Sequence, residues 1–297
     1  MQYIRYEKNF SSHTANAYQH DLEVFAAYIE ADFGLDDPAG ADADMIRAWL
    51  MMLLENGLTA RSAGRKLSVL KTYWRFLLRE GLAEVNMPNR VTVPKIRRPL
   101  PVYLKGSELS AVKAADVLPA EAREEDFETF RDDLIMEMFL QTGMRRAELI
   151  SLRLCDVDAG SALLKVTGKR NKQRLIPFGP SLGEMIARYL PLRSEVSGGA
   201  DAPQDPFYIR RGGAPLYPML VYRLVRHRLE SAGQLSKNSP HVLRHTFATT
   251  LLNNGAELNA VRQLLGHASL SATEVYTHTS FEELKKTYRR AHPRAGE

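Results

Sequence analysis

The sequence predicts a mainly α-helical protein of two domains, with a helical bundle first and a mixed α and β domain, carrying a small β-hairpin sheet, second. Apolar residues recur at helical spacing through much of the chain, as in the stripe Leu67, Leu70, Trp74 and Leu77. Residues 87–104 interrupt this pattern with four prolines, which prevent a regular helix and are typical of a linker. Residues 163–178 alternate apolar and polar side chains around a basic turn, which predicts the hairpin.

The composition is that of a folded globular protein. The 297 residues are 44% hydrophobic and 25% charged, enough to form two cores of ordinary size. The longest apolar runs, such as Trp49–Leu54, are far too short to cross a bilayer, and the first residues lack the apolar segment of a secretion signal. Cys155, a lone cysteine expected in the core, cannot form an internal disulfide. We therefore expect a cytoplasmic protein.

The proline-rich segment fixes the expected domain limits. We predict an N-terminal helical domain over residues 1–93, a basic linker over 94–106 and a C-terminal domain over 107–297. In the first domain, helices are expected after Ser11, from Asp44 and over 60–79, where Thr59 can cap the first turn. In the second, helices are expected from Ser107 and over 181–190, 217–229 and 281–292.

Basic residues are concentrated in one block. Between Arg61 and Arg98 there are ten lysines and arginines and only two acidic residues, Glu80 and Glu84. In residues 1–60, by contrast, acidic side chains outnumber basic ones. Such a block is typical of a surface that binds a polyanion, with nucleic acid the usual candidate, although a merely solvated helix face stays an alternative. The candidate DNA-binding residues of the third helix are Arg61, Arg65, Lys66, Arg75 and Arg79.

A second concentration of reactive side chains lies between His241 and His278. His241 and Arg244 are three residues apart, so on a helix they share one face and can reach one anion. Gly266 is placed to end a helix just before His267, and Tyr276 follows nine residues later. Histidine, arginine and tyrosine together suit a reaction in which the phenol of the tyrosine attacks a phosphodiester that the other residues bind. A zinc pair is disfavoured because the segment lacks the H-E-x-x-H glutamate.

Five motifs carry a resemblance to a known family: T-G-M-R-R-A-E-L from Thr142, G-K-R-N-K-Q-R from Gly168, H-V-L-R-H from His241, L-L-G-H from Leu264 and Y-T-H from Tyr276. In this order they resemble the tyrosine recombinases, the phage integrase family of site-specific DNA recombinases, and most of all the Xer type. The resemblance implies a SAM-like core-binding domain followed by a tyrosine-recombinase catalytic domain. It also implies a reaction that needs neither metal nor cofactor.

The resemblance assigns catalytic roles to Arg145, Lys169, His241, Arg244, His267 and Tyr276, with Tyr276 as the nucleophile. Arginine forks neutralise the charge that grows on the phosphate oxygens, and the histidines add donors or carry protons. A tyrosine of ordinary pKa, about 10, is almost wholly protonated at pH 7, so the basic pocket must favour phenolate. Lys169 is the expected general acid and Glu148 the acid that orients a catalytic side chain. Lys172 and Arg174 are expected to contact DNA phosphates.

We therefore expect a recombinase that resolves chromosome dimers at a dif-like site, serving chromosome partition at cell division. Its expected partners are double-stranded DNA, further recombinase subunits in a homo- or hetero-tetramer, and a DNA translocase such as FtsK. Integration of a mobile element, DNA relaxation of the type IB topoisomerase kind, and a regulator without catalysis are the alternatives. The tail helix over 281–292 is expected to pack into a neighbouring subunit as an exchange helix.

Overall fold

The computed structural model describes Tyr3, Glu7 and residues 10–94, 103–104, 108, 127–168, 171–232, 238–266 and 278–293. The side chains of residues 13, 232 and 278–283 are outside this description. The chain divides into two compact units, Met1–Pro99 and Leu100–Glu297. Both are mainly helical and the second carries a small antiparallel sheet, so the predicted fold class is confirmed. Within the described ranges, none of the helices combines the length and the apolarity that a membrane span requires.

The first unit is a bundle of three long helices: α1 Ser12–Phe33, α2 Ala43–Glu55 and α3 Ala60–Arg79. The predicted cap is confirmed, because the Thr59 hydroxyl accepts a hydrogen bond from the Ser62 amide at the start of α3. One aromatic cluster joins the three helices. The ring of Phe25 packs edge-on against Trp49 at 4.9 Å and against Trp74 at 6.1 Å.

The second unit contains seven helices and three strands among its described residues. They are α4 Phe127–Thr142, α5 Arg146–Ile150, β1 Val157–Asp158, β2 Leu163–Thr167, β3 Gln173–Pro177, α6 Pro180–Ser197, α7 Pro218–Ala232, α8 Pro240–Asn253, α9 Leu258–Leu265 and α10 His278–Ala291. The strands form one antiparallel sheet in the order β1-β2-β3, with Leu163 opposite Pro177. The predicted hairpin is therefore confirmed. The helix expected from Ser107 lies outside the described residues.

Two local expectations differ from the structure. The helix predicted over 181–190 continues through Pro191 to Ser197, because Tyr189 and Arg193 are buried on either side of the proline and hold the backbone in place. Cys155 is exposed, not in the core. It lies in a 3-10 turn, Leu154–Asp156, which directs the cysteine outward while Leu152 is buried.

Helix α4 is the centre of the second core, with both faces largely buried. It ends at Gly143, which adopts a left-handed conformation with φ of 57°. A Cβ atom at Gly143 would lie 2.4 Å from Phe247 Cδ1 and 3.1 Å from Leu265 Cδ2. This glycine therefore allows α8 and α9 to approach the end of α4.

The tail helix α10 packs against its own unit in this single chain. Leu284, Tyr288 and Ala291 are buried in a cluster with Phe247 and Leu251 of α8. The Tyr288 hydroxyl donates to the Gln141 carbonyl at 3.2 Å. Exchange of this helix between subunits stays a prediction, since a single chain offers it only its own surface.

We expect Gly143→Ala to lower the free energy of unfolding by about 2–4 kcal/mol, because it adds both backbone strain at positive φ and overpacking against Phe247. Gly183→Ala is the matched control, since Gly183 lies inside α6 and a Cβ there meets only Phe178 at 3.5 Å. That control should raise the stability by roughly 0.5–1 kcal/mol. Urea denaturation measures both, and equal effects of the two variants would contradict the packing at Gly143.

Candidate active site

The site is built around the C-terminal end of α9, where the last carbonyl groups of the helix have no partner within it. The helix ends at Gly266, as the sequence predicted, and this glycine adopts the left-handed conformation with φ of 65°. Three consecutive carbonyls, those of Leu264, Leu265 and Gly266, each accept a hydrogen bond from a different arginine. The partial negative charge of a helix C-terminus favours these cations.

Arg244 lies on α8, one turn after the helix begins at Pro240. Its Nη1 donates to the Gly143 carbonyl at 2.7 Å and its Nη2 to the Leu265 carbonyl at 2.5 Å. Burial, together with the charge of Arg145, lowers the pKa of the Arg244 guanidinium to about 10. The side chain is still a cation at neutral pH, and it joins the ends of α4 and α9.

Arg145 follows α4 and precedes the short helix α5. Its backbone amide donates to Glu148 Oε2 at 2.8 Å and its Nη1 to Glu148 Oε1 at 2.7 Å. Its Nη2 lies 3.4 Å from the Gly266 carbonyl, and the side chain is about one-third exposed, at 32%. Glu148 therefore orients Arg145, as the sequence predicted, while leaving part of the guanidinium accessible.

Glu148 is buried and holds a second arginine. Arg174, on β3, donates from Nη1 and Nη2 to the two carboxylate oxygens at 2.9 Å each. Burial alone would raise the pKa of Glu148, but the hydrogen bonds and charge of Arg174, with those of Arg145, lower it to about 2. The carboxylate is therefore ionised at neutral pH.

The environment of Arg174 corrects the prediction that this residue contacts DNA phosphate. Arg174 is 7% exposed, and its Nε donates to the Leu264 carbonyl at 2.8 Å. All three guanidinium nitrogens are bonded to protein atoms. The sequence could not reveal this, because Glu148 is 26 positions away and is brought to β3 only by the fold. Lys172 is exposed, so its contact with DNA stays a prediction.

Of the four remaining candidate catalytic residues, the structure describes one. His241 is exposed in the first turn of α8, on the same helix as Arg244. Lys169, His267 and Tyr276 lie outside the described residues. The structure thus brings Arg145 and Arg244 together, although 99 positions separate them in the sequence.

The basic residues of α3 also divide into two kinds. Arg61, Arg65, Arg75 and Arg79 are exposed. Lys66 is 9% exposed, and its Nζ donates to buried Asp21 at 2.7 Å, which corrects the prediction that Lys66 contacts DNA. Arg65 also donates to Asp21, at 3.0 Å, but about half of its side chain, 51%, is accessible. Lys66 was predicted to bind DNA because it lies in the basic block, whereas its bond to Asp21 on α1 holds it inside the bundle.

Sequence reasoning missed the backbone acceptors of the site. The carbonyls of Gly143, Leu264, Leu265 and Gly266 carry no side-chain signal. The one available indication was the pair of glycines, since a left-handed glycine at a helix end exposes carbonyl groups of the last turn. Asp21 was likewise missed, because an aspartate within an amphipathic helix is usually solvated.

The arrangement suits the binding of a phosphodiester. Arg145, Arg174 and Arg244 carry three positive charges and Glu148 one negative charge, which leaves an excess of two positive charges. Each terminal guanidinium nitrogen has two N–H bonds, so Arg145 and Arg244 retain donors beyond those given to carbonyls. No cluster of three or more metal-ligating side chains was found among the residues that the structure describes.

Two protein-family models and many known proteins match this chain. The model of the phage integrase family matches residues 115–283, and that of the phage integrase N-terminal SAM-like domain matches residues 1–81. The chain is 34% identical to the tyrosine recombinase XerC of Chlorobaculum parvum, over 99% of this chain and 93% of the relative. It is 36% identical to the XerC of Pseudomonas aeruginosa, again over 99% and 93%.

Solved structures show the same fold. The XerH site-specific recombinase, in a post-cleavage complex with a palindromic difH substrate, superimposes with a TM-score of 0.70 at 22% identity, covering 94% of this chain and 80% of that one. A lambda integrase tetramer on a Holliday junction gives 0.64 at 21%, covering 89% and 71%. The chain belongs to the phage integrase family, the tyrosine site-specific recombinases, and within that family it is of the Xer type.

We expect Glu148→Gln to lower the free energy of unfolding by about 3–5 kcal/mol at pH 7, because two arginines lose the carboxylate that they share. The folded-state pKa of Glu148 is depressed, so its contribution is complete above about pH 4.5 and is lost as the pH falls toward about 2. Urea denaturation across this range should show the wild type and the variant converging only below about pH 4.5.

Glu230→Gln is the control for this measurement, because Glu230 forms an exposed ion pair with Arg226 on α7. Its replacement should change the stability little at any pH. A constant difference between wild type and Glu148→Gln from pH 7 down to pH 2.5 would show that the ionised carboxylate is not the source of the effect.

Proposed function

We propose that this recombinase cuts and rejoins DNA strands at a dif-like site, and so resolves chromosome dimers, with Tyr276 as the nucleophile. The observation that carries the proposal is the convergence of Arg145 and Arg244 on the adjacent carbonyls of Gly266 and Leu265. These carbonyls immediately precede His267 in the sequence. Two cations are therefore fixed at the end of α9, and the proposed nucleophile is ten positions after Gly266 in the sequence.

The proposed cleavage step is a phosphoryl transfer. The Tyr276 phenolate oxygen forms a bond to the scissile phosphorus, and the bond from phosphorus to the 5′-oxygen breaks. Lys169 gives a proton to that leaving oxygen, while Arg145 and Arg244 stabilise the charge on the non-bridging oxygens. His241 and His267 supply further donors or carry protons. The product is a 3′-phosphotyrosine that the 5′-hydroxyl of another duplex can attack, so rejoining needs no external energy source.

We propose that the two domains divide the work. Residues 1–93 hold the duplex through the exposed arginines of α3, residues 94–106 connect the domains, and residues 107–297 carry out the chemistry. Lys172 would contact phosphate near the reacting strand. The exposed positions of Arg61 and Arg75 support this proposal, because a side chain must reach solvent to replace counterions on DNA.

Strand exchange between two duplexes requires several subunits. The lambda integrase cited above is a tetramer on a Holliday junction, and we propose a homo- or hetero-tetramer for this chain, with α10 exchanged between neighbours. In the single chain α10 covers the apolar side chains of α8 and α9, so exchange would substitute a neighbour's helix at the same surface. A DNA translocase such as FtsK is the proposed activating partner.

Tyr276→Phe should bind the target DNA with unchanged affinity and form no covalent adduct, because only the nucleophilic oxygen is lost. Trapping on a nicked suicide substrate, followed by denaturing electrophoresis, measures the adduct. Tyr217→Phe is the control, since Tyr217 is an exposed tyrosine whose ring faces Arg210. An adduct in the Tyr276→Phe variant would disprove the assignment of the nucleophile.

Plasmids separate the proposed activity from its alternatives. A plasmid with two dif-like sites should be resolved into two circles, whereas a plasmid without a site should stay supercoiled. Site-independent relaxation would instead indicate a topoisomerase, and joining to an unrelated target would indicate a mobile-element integrase.

Arg61→Gln and Arg75→Gln should each flatten the dependence of log affinity on log salt by about 0.9, because each removes one phosphate contact. Lys66→Gln should leave that slope unchanged, since Lys66 is bonded to Asp21 inside the bundle. Arg47→Gln on α2, an exposed arginine paired with Asp44, is the surface control. Fluorescence anisotropy with a half-site duplex measures the slopes. An unchanged slope in Arg61→Gln and Arg75→Gln would mean that this face of α3 is exposed to solvent and does not bind DNA.

A further inference from the structure

Arg174 is held entirely by protein atoms that belong to the active site. Its Nη1 and Nη2 bond the two oxygens of Glu148, and its Nε bonds the Leu264 carbonyl at the end of α9. Gly266 lies directly against it: a Cβ atom there would be 3.1 Å from Arg174 Nη1 and 3.3 Å from its Cζ. The guanidinium thus fills the space between Glu148 and the chain that leads to His267.

Each oxygen of Glu148 is shared between two arginines. Oε1 accepts from Arg145 Nη1 at 2.7 Å and from Arg174 Nη1 at 2.9 Å. Oε2 accepts from the Arg145 backbone amide at 2.8 Å and from Arg174 Nη2 at 2.9 Å. Rotation of Glu148 would therefore displace the guanidinium of Arg145, and Arg174 opposes this rotation through two of the four bonds.

We propose that Arg174 is a positioning residue of the cleavage reaction, which acts through Glu148 on Arg145 and through Leu264 on the end of α9. The inference rests on the proposed function, because it concerns the same phosphoryl transfer. Arginine is required at this position since three donors in one plane must meet two carboxylate oxygens and a carbonyl at once. Lysine supplies the charge without that geometry.

Arg174 also preserves the charge that Arg145 presents to the substrate. Glu148 with Arg145 alone would be a neutral pair, whereas Glu148 with both arginines retains one positive charge. That charge lies beside the accessible part of Arg145, and a buried site strengthens its effect on a phosphate. A neutral residue at position 174 would therefore remove both the orientation and the excess charge.

The test compares Arg174→Gln, which removes the charge, with Arg174→Lys, which keeps it. Arg193→Gln is the matched control, because Arg193 is also buried and bonds Asp201 and the carbonyls of Pro206 and Phe207, while it makes no bond to Glu148. Single-turnover formation of the covalent adduct is measured on a suicide half-site at a temperature where circular dichroism shows every variant folded.

Two substrates distinguish positioning from structural support. On the natural phosphodiester, Arg174→Gln should be slower than wild type by roughly tenfold to a hundredfold, with Arg174→Lys between them. On a methylphosphonate, whose phosphorus centre carries no negative charge, accurate placement of Arg145 matters less, and the defect should shrink to about threefold or less. The affinity for the half-site and its salt slope should be unchanged, because Arg174 makes no phosphate contact.

Equal defects of Arg174→Gln on both substrates, matching those of Arg193→Gln, would reduce Arg174 to a structural residue and overturn the proposal. A salt slope flattened by about 0.9 in Arg174→Gln would instead show that Arg174 contacts a DNA phosphate. Full activity of Arg174→Gln would overturn the proposal as well. If wild type forms no adduct on either substrate, the proposed function itself has failed, which is a different result from any of these.

Discussion

The site depends on the contact between three arginines and the carboxyl-terminal end of α9. A helix end offers partial negative charge, enough to hold a guanidinium in place without cancelling its charge. The carbonyls of Leu264, Leu265 and Gly266 serve in this way for Arg174, Arg244 and Arg145. Three carboxylates in their place would position the same arginines and neutralise all of them. Backbone acceptors therefore allow a cluster of cations to be rigid and still available to an anion.

Two glycines make this contact possible. Gly143 and Gly266 both adopt positive φ, and in both cases a Cβ atom would enter space that the site uses. At Gly143 that space belongs to Phe247 and Leu265, and at Gly266 it belongs to Arg174. The Gly143 carbonyl also accepts a hydrogen bond from Arg244. The glycines that end α4 and α9 therefore supply hydrogen-bond acceptors as well as close packing. Backbone conformation and electrostatics are thus set by the same residues.

Local features of this structure could be predicted from the sequence, and pairings between distant residues could not. The cap at Thr59, the end of α9 at Gly266 and the hairpin follow from rules that involve neighbouring residues, and the structure agrees. The two-residue strand β1 gives no periodic signal, and α6 passes through Pro191 because of tertiary packing. Lys66 and Arg174 were misplaced for one reason: their partners, Asp21 and Glu148, are 45 and 26 positions away. The resemblance to a family indicated which motifs are candidates for catalysis but carried no information on these bonds.

The two misplaced cations belong to networks of the same form. In each, one buried carboxylate serves one buried cation and one accessible arginine: Asp21 with Lys66 and Arg65, and Glu148 with Arg174 and Arg145. A carboxylate with a single cation would be neutral, whereas one with two retains a positive charge. Because the buried cation is held in the core, the excess positive charge is accessible at the other arginine. The carboxylate fixes the orientation of that accessible arginine. A count of basic residues therefore overstates the number of cations that can contact DNA. The buried carboxylates that pair with these cations determine the orientation of the accessible ones.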